Sequence, residues 1–149
     1  MAEVRVQAAP FDYGAECGSF ADGASGAGAG AVVTFAGVVR GDGGLTTMEI
    51  EHYPGMTERA LSKIAEEAVA RFALTDTLVI HRHGPMAPGE RIMMVATAAP
   101  HRAAAFEAAE FLMDYLKSRA PFWKKERGPD GDGWVAAKDD DEAALDRWG

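Results

Sequence analysis

Hydrophobic and polar positions along the chain fall into segments of two periods. Residues 3–7 (EVRVQ) alternate and predict a short strand. Residues 12–22 predict one weak helix, and the Gly/Ala tract GASGAGAG at 23–30 reads as loop. Residues 31–39 (AVVTFAGVV) are β-branched and almost continuously apolar, the pattern of a strand covered on both faces. After a turn at Gly41, Asp42, Gly43 and Gly44, Met48 and Ile50 alternate with Thr47, Glu49 and Glu51, so residues 45–53 are expected to pair with 31–39 as a hairpin.

Pro54 is placed to start a helix, and Leu61, Ile64, Ala65, Ala68 and Phe72 recur at spacings of three and four. Residues 77–83 (TLVIHRH) and 91–98 (RIMMVATA) predict two strands, with GPMAPGE between them as a turn. Pro100 opens a second long helix to about Arg119, with Phe106, Ala109, Met113 and Leu116 along one stripe, and Pro121 ends it. Residues 122–126 and 133–137 add short strands, and 139–148 reads as a solvated acidic tail or helix. The sum is an α+β domain whose mixed, largely antiparallel sheet packs with two long helices.

A chain of 149 residues, 48% hydrophobic and 26% charged, fits one domain over residues 1–149. Cys17, the single cysteine, has no internal disulfide partner and fits a reducing compartment, so a cytoplasmic location is expected. Glu3 and Arg5 interrupt any leader, and the apolar run 31–39 is far short of the about 20 residues of a membrane span.

The formal charge of -8 opposes binding to nucleic acid or anionic lipid. Its distribution adds something: residues 117–127 (KSRAPFWKKER) carry five basic residues against one acid, whereas 130–146 carry seven acids against Lys138. A basic pocket in an acidic protein selects a compact anion over a polyanion, and a small phosphorylated substrate fits.

Within that field, His101 and Arg102 follow Pro100 in the first turn of a helix, where cations are unfavourable unless an anion lies between them and the free N–H groups. Lys117 follows Met113 by four residues and so lies on or beside the apolar stripe, partly desolvated; the alternative is an exposed Lys117 paired with Asp114. The bend at Pro121 lets Lys124 approach Lys117, with Phe122 and Trp123 screening both from water. Two amines so placed serve as nucleophile, general base or anion ligand. Arg40, after the apolar strand, delivers a further cation to a rim.

Other features carry less. Gly26, Gly28 and Gly30 precede a strand where a phosphate loop needs a helix. His81 and His83 share a strand face by period two, yet no ligand of matching spacing accompanies them, so no metal is assigned. Cys17 has no activating base nearby, so any sulfur in the chemistry must come from outside.

The segments GAVVTFAGVVR (30–40), IEHYPGMTERAL (50–61), VIHRHG (79–84), PHRAAAFEAAEFLMDYLKSRAPFWKKE (100–126) and GWVAA (133–137) resemble the large, catalytic subunit of molybdopterin synthase, the MoaE family. The N-terminal residues 1–29 and the acidic tail 139–149 match only loosely. The resemblance implies a fold of the α/β-hammerhead type and a homodimer that binds two small ubiquitin-like, MoaD-like sulfur carriers, giving a heterotetramer. Each carrier would end in a Gly-Gly thiocarboxylate and deliver sulfur to cyclic pyranopterin monophosphate, two sulfurs making the dithiolene of molybdopterin. By the same resemblance Lys117 and Lys124 stand at the reaction centre, as acid/base groups or acceptors of the carrier's acyl group. Arg40, His101 and Arg102 would bind the pterin, the His-Arg pair reaching over from the other protomer. Lys125 and Glu126 would line the pocket and Met113 its wall, with no cofactor of the subunit's own. Some positions depart from the family pattern: the stretch GVVR is apolar before Arg40, the loop GDGG is short, His83 replaces an often apolar residue, and Lys138 stands where a relative places Arg.

Two other classes of function fit the same residues, a non-catalytic module holding a phosphorylated metabolite and a scaffold for a ubiquitin-like protein. Loss of turnover on replacing Lys117, with carrier binding kept, separates the enzyme from the binding module, and silent Arg40→Ala and Arg102→Ala variants mark the scaffold.

Overall fold

A computed structural model describes residues 2–128, 131–135 and 143–148. Among the described residues, the strands form two four-stranded sheets that pack with the helices α1 (Tyr13–Gly26), α2 (Met56–Phe72) and α3 (Arg102–Arg119). In the first sheet, β1 (Ala2–Gln7) runs parallel to β4 (Asp76–Arg82), which pairs antiparallel with β6 (Arg91–Ala99), and β6 pairs antiparallel with β2 (Ala31–Val38) at the edge. In the second, β3 (Thr47–His52) lies between β5 (Gly84–Met86) and β7 (Phe122–Gly128), and β8 (Gly131–Val135) pairs with β7.

The expected hairpin of 31–39 with 45–53 does not form, because the chain changes sheets between them. It turns through Asp42–Gly44, where Gly43 and Gly44 take positive φ, and β3 takes β7 as its long partner. As an edge strand, β2 is not covered on both faces in one protomer: Val32, Phe35 and Val38 remain 38%, 42% and 48% exposed. Part of the expected turn 84–90 is strand β5, drawn into register by Ile50 and Met48 of β3. Strand β8 begins two residues earlier than expected, and 136–137 lie outside the described residues.

Helix α1 (Tyr13–Gly26) is longer than the sequence pattern suggests and includes the start of the Gly/Ala tract expected to be loop. Asp12 caps it by accepting from the Ala15 N–H at 3.0 Å, and Phe20 and Ala24 bury against Leu78, Ile80, Met94 and Ala96. Small residues let the helix lie close to the sheet, which outweighs their weak helix propensity. The opposite face of the sheet, through Val79 and Val95, meets α2 (Met56–Phe72) and α3 (Arg102–Arg119) in a core that also takes Ile50 and Met86 from the second sheet. Helix α3 buries Ala105, Ala108, Phe111, Leu112 and Leu116, and its first turn ties back to β6 where Thr97 Oγ1 donates to the Ala105 carbonyl at 2.7 Å.

The acidic end of the chain is not wholly solvated. Residues 145–148 form a short 3-10 turn that buries Leu145 and sets Trp148 against Phe72 and Phe111, ring centroids 5.8 and 5.5 Å away. No helix among the described residues is long and apolar enough to cross a membrane.

Candidate active site

Helix α3 stops at Arg119 because Ala120 is extended (φ -78°, ψ 136°) and Pro121 has no N–H to continue the ladder, so strand β7 starts at once. This corner carries Lys117 at the end of the helix and Lys124 near the start of the strand to the same place. Both line a cavity of about 140 Å³ with His81, Met113, Leu116 and Phe122, closed by Gly37, Val38, Ile92 and Met93 from the strands. A second cavity of about 190 Å³ shares Val38, Ile92 and both lysines and adds Arg40, Asp42, Met48 and Glu126. A cationic, largely apolar double recess results.

The period of β7 sorts its side chains. Phe122, Lys124 and Glu126 face the cavities, whereas Trp123 meets Tyr53 edge-on at 4.5 Å and the Lys125 ammonium lies 5.6 Å from the Trp134 ring centroid on the other face. Lys125 therefore does not line the recess in this protomer, and Trp123 does not screen it; Phe122 does. Lys117 is exposed, against the expectation of partial desolvation. It does not pair with Asp114 either: that carboxylate accepts from the Trp148 indole N–H at 2.6 Å and lies 3.3 Å from Arg147 Nη2. Arg40 is exposed and lies 3.4 Å from Asp42.

His101 is the N-cap of α3 without a capping side-chain bond, and Arg102 is the first helical residue; both are exposed. Fifteen residues of helix separate Arg102 from Lys117, roughly 22 Å along the axis, so one protomer does not bring this pair to the lysines. Lys138 lies outside the described residues.

His81, weighed from sequence only as half of a metal pair, is part of the recess wall. Its ring stacks on Phe122 with centroids 3.7 Å apart, and its Nδ1 lies 2.8 Å from the Arg82 carbonyl. Burial, reinforced by the charges of Lys124, Lys117 and His52, pushes its pKa down to about 3, although the bond to Arg82 opposes the shift. His83 instead packs on His52, with centroids 4.3 Å apart. Among the described residues no three His, Cys, Asp or Glu side chains gather to hold a metal. The sequence signal for His81 was a lone histidine in the apolar run TLVIHR, which indicates burial without saying what it faces. Cys17 sits on α1, across the first sheet from the recess.

Residues 6–119 match the MoaE protein family. The chain belongs to the MoaE family. It is 70% identical over 146 residues to the molybdopterin synthase catalytic subunit of Cereibacter sphaeroides, covering 97% of this chain and 99% of that relative. Among solved MoaE structures, a MoaE protein of molybdopterin biosynthesis from Burkholderia ambifaria superposes with a TM-score of 0.84 at 51% identity, covering 100% of this chain and 99% of the other. A molybdopterin synthase from Staphylococcus aureus superposes with a TM-score of 0.78 at 29% identity, covering 89% and 96%. The MoaE match ends at Arg119, so Lys124, Lys125 and Glu126 lie beyond it.

Proposed function

We infer that the chain acts as the catalytic subunit of a molybdopterin synthase, a sulfurtransferase that converts cyclic pyranopterin monophosphate into the dithiolene of molybdopterin. The observation that carries the site assignment is the convergence of Lys117 and Lys124 on one recess, with Cys17 on the far side of a sheet. Sulfur then enters as the C-terminal thiocarboxylate of a small ubiquitin-like carrier whose Gly-Gly tail fits a narrow channel. The ammonium groups attract that anion and the substrate phosphate. The thiocarboxylate sulfur bonds to a side-chain carbon of the pterin, displacing an oxygen substituent there, and its bond to the acyl carbon of the carrier breaks. The acyl group passes to water or to a lysine amine, while the second lysine supplies or takes the proton.

Arg40, Glu126 and Met113 border the recess and contact the pterin in this reading. His101 and Arg102 complete the site of a second protomer. The exposed apolar face of Phe35 and Phe106, 42% and 61% accessible and continuous with Lys117 around a groove of about 610 Å³, is where that protomer docks. Lys125 contributes only if carrier or partner binding turns it from Trp134. The chain works in the cytoplasm, where thiols stay reduced.

The test mixes purified chain, thiocarboxylated carrier and cyclic pterin precursor and follows the dithiolene product, with a carrier ending in an ordinary carboxylate as control. Lys117→Ala and Lys124→Ala are expected to lower turnover by about 10²- to 10⁴-fold while carrier binding persists. No product from the complete mixture overturns the enzymatic reading and leaves the binding module or the scaffold.

A further inference from the structure

Position 37 is a glycine for no reason that lies in the backbone. It falls inside β2, where a glycine weakens a strand, and its φ is not in the left-handed region that favours glycine. The sheet is irregular beside it: Gly37 pairs with Met93, and the next residue, Val38, pairs with Arg91. The residue passed over is Ile92, so the bulge belongs to β6 and makes no demand on Gly37. What the glycine leaves is space.

That space belongs to the recess. Alternate residues of β2 share a face, which turns Val33, Phe35 and Gly37 toward α3 and Thr34 toward α1, where its Oγ1 meets the Tyr13 hydroxyl at 3.0 Å. Val33 and Phe35 put side chains on the inner face. At Gly37 the cavity of about 140 Å³ stands instead, with Lys117 and Lys124 among its other walls. A Cβ at 37 would lie 3.3 Å from Met93 Cγ, 3.4 Å from its Sδ and 3.9 Å from Phe35 Cε1. Both of those side chains line the same cavity, and Met93 is 5% exposed. An added methyl group therefore narrows the recess, while a flexible thioether, not backbone, gives way beside it.

The reaction brings a chain end of two glycines to the two lysines. Such an end is backbone without side chains, and backbone lies closest to a wall that has no side chain of its own. We propose that Gly37 is a specificity-determining residue: the gap at its missing side chain seats the backbone of the carrier's terminal Gly-Gly, so the recess admits a bare chain end and turns away one that bears side chains. The proposal rests on the sulfurtransferase reading for the identity of that tail.

The test is a difference in binding that a defect away from the tail leaves unchanged. Two carriers ending in ordinary carboxylates, one complete and one lacking the last two glycines, are titrated by calorimetry into the wild type and into Gly37→Ala. The wild type is expected to bind the complete carrier at least about tenfold more tightly than the shortened one, and Gly37→Ala to bind the two within about threefold. A complete carrier with alanine as its penultimate residue is expected to bind the wild type no better than the shortened carrier does. Alanine where φ permits it restricts the unfolded chain, which offsets the tight contact with Met93, so the thermal midpoint of Gly37→Ala is expected within about 4 °C of wild type. In the reconstituted reaction its kcat/KM for the carrier is expected to fall at least about tenfold. The proposal is overturned by a wild type that binds both carriers alike, by a Gly37→Ala protein that keeps the wild-type preference, or by a midpoint lowered beyond that range, since the glycine then serves the fold. If the wild type makes no dithiolene, the sulfurtransferase reading fails, and the comparison of the two carriers still decides the role of Gly37.

Discussion

The Trp148 indole N–H donates to Asp114 Oδ2 at 2.6 Å, and Arg147 Nη2 stands 3.3 Å from that same oxygen. Asp114 is three residues before Lys117 on α3, within reach of an i, i+3 ion pair, yet its side chain is only 13% exposed and turned to the tail. The tail therefore withholds a carboxylate from the amine of the recess.

Trp148→Phe combined with Arg147→Ala keeps an aromatic ring against Phe72 and Phe111 but frees Asp114. The double variant is expected to lose about three- to tenfold in dithiolene formation as Asp114 pairs with Lys117. Adding Asp114→Asn to it is expected to restore the rate. Steady-state turnover of the three proteins checks both, and a triple variant as slow as the double one refutes the link.

Acid sensitivity follows from His81. Its folded pKa, about 3, lies below the ordinary 6.5, so between those values the unfolded chain binds the extra proton and the folded chain does not. The stability of the neutral ring is complete above about pH 6.5 and declines as pH falls toward 3, with a slope of up to about 1.4 kcal/mol per pH unit. His83, whose pKa burial also lowers, acts with the same sign. Glu16 and Glu90, held below the usual carboxylate range by a hydrogen bond from Arg5 and from the Ala87 N–H respectively, lose their contribution at lower pH still. Urea unfolding at pH 6.5, 5.5 and 5.0 is expected to show a flatter pH dependence in His81→Gln than in the wild type.

Gly30 opens β2 where its N–H donates to the Ala99 carbonyl at 3.0 Å, and a Cβ there would stand 2.4 Å from the Pro100 carbonyl oxygen. The obstacle is backbone and cannot rotate away. Gly30→Ala is expected to destabilise the fold by about 1–3 kcal/mol and to disturb the corner that presents His101 and Arg102, measured as a lower urea midpoint. Gly23→Ala, with nothing within 4 Å of the added carbon, is the contrasting control and is expected to be neutral or stabilising.

If Arg102 works in the neighbouring protomer's recess, two inactive proteins should complement each other. Random mixing of Lys117→Ala and Arg102→Ala chains during refolding makes half of the dimers mixed, and each mixed dimer has one site with both residues intact. Activity is expected to recover to about a quarter of wild type. No recovery, with dimers verified by light scattering, shows that Arg102 does not serve the neighbouring recess.

Much of this architecture was legible in the sequence, for identifiable reasons. Helices α2 and α3 were marked by spacings of three and four and by prolines at their ends, and β4 and β6 by runs of apolar residues. What periodicity does not specify is which strands pair: β2 and β3 are close in sequence but belong to different sheets, because register with β6 and β7 is decided over long separations. Only the start of the Gly/Ala tract, 23–26, departs from the expected loop, because propensity is local while the packing of Ala24 is not. Of the site, the proline corner predicted that Lys117 and Lys124 meet. The opposite orientation of Lys125 was implicit in strand period but required β7 to be a full strand, and the tail's hold on Asp114 had no sequence signal beyond a distant Trp and Arg.

The corner at Ala120 and Pro121 sets the phase of everything after it. Lengthening it by one residue would exchange the two sides of β7, sending Trp123 and Lys125 inward and Phe122 and Lys124 outward. Because an aromatic is followed two positions later by a lysine in both phases, a slipped strand would still carry a ring and an amine on its inner side, but with the larger indole where Phe122 now stacks on His81 and Arg127 in the place of Glu126.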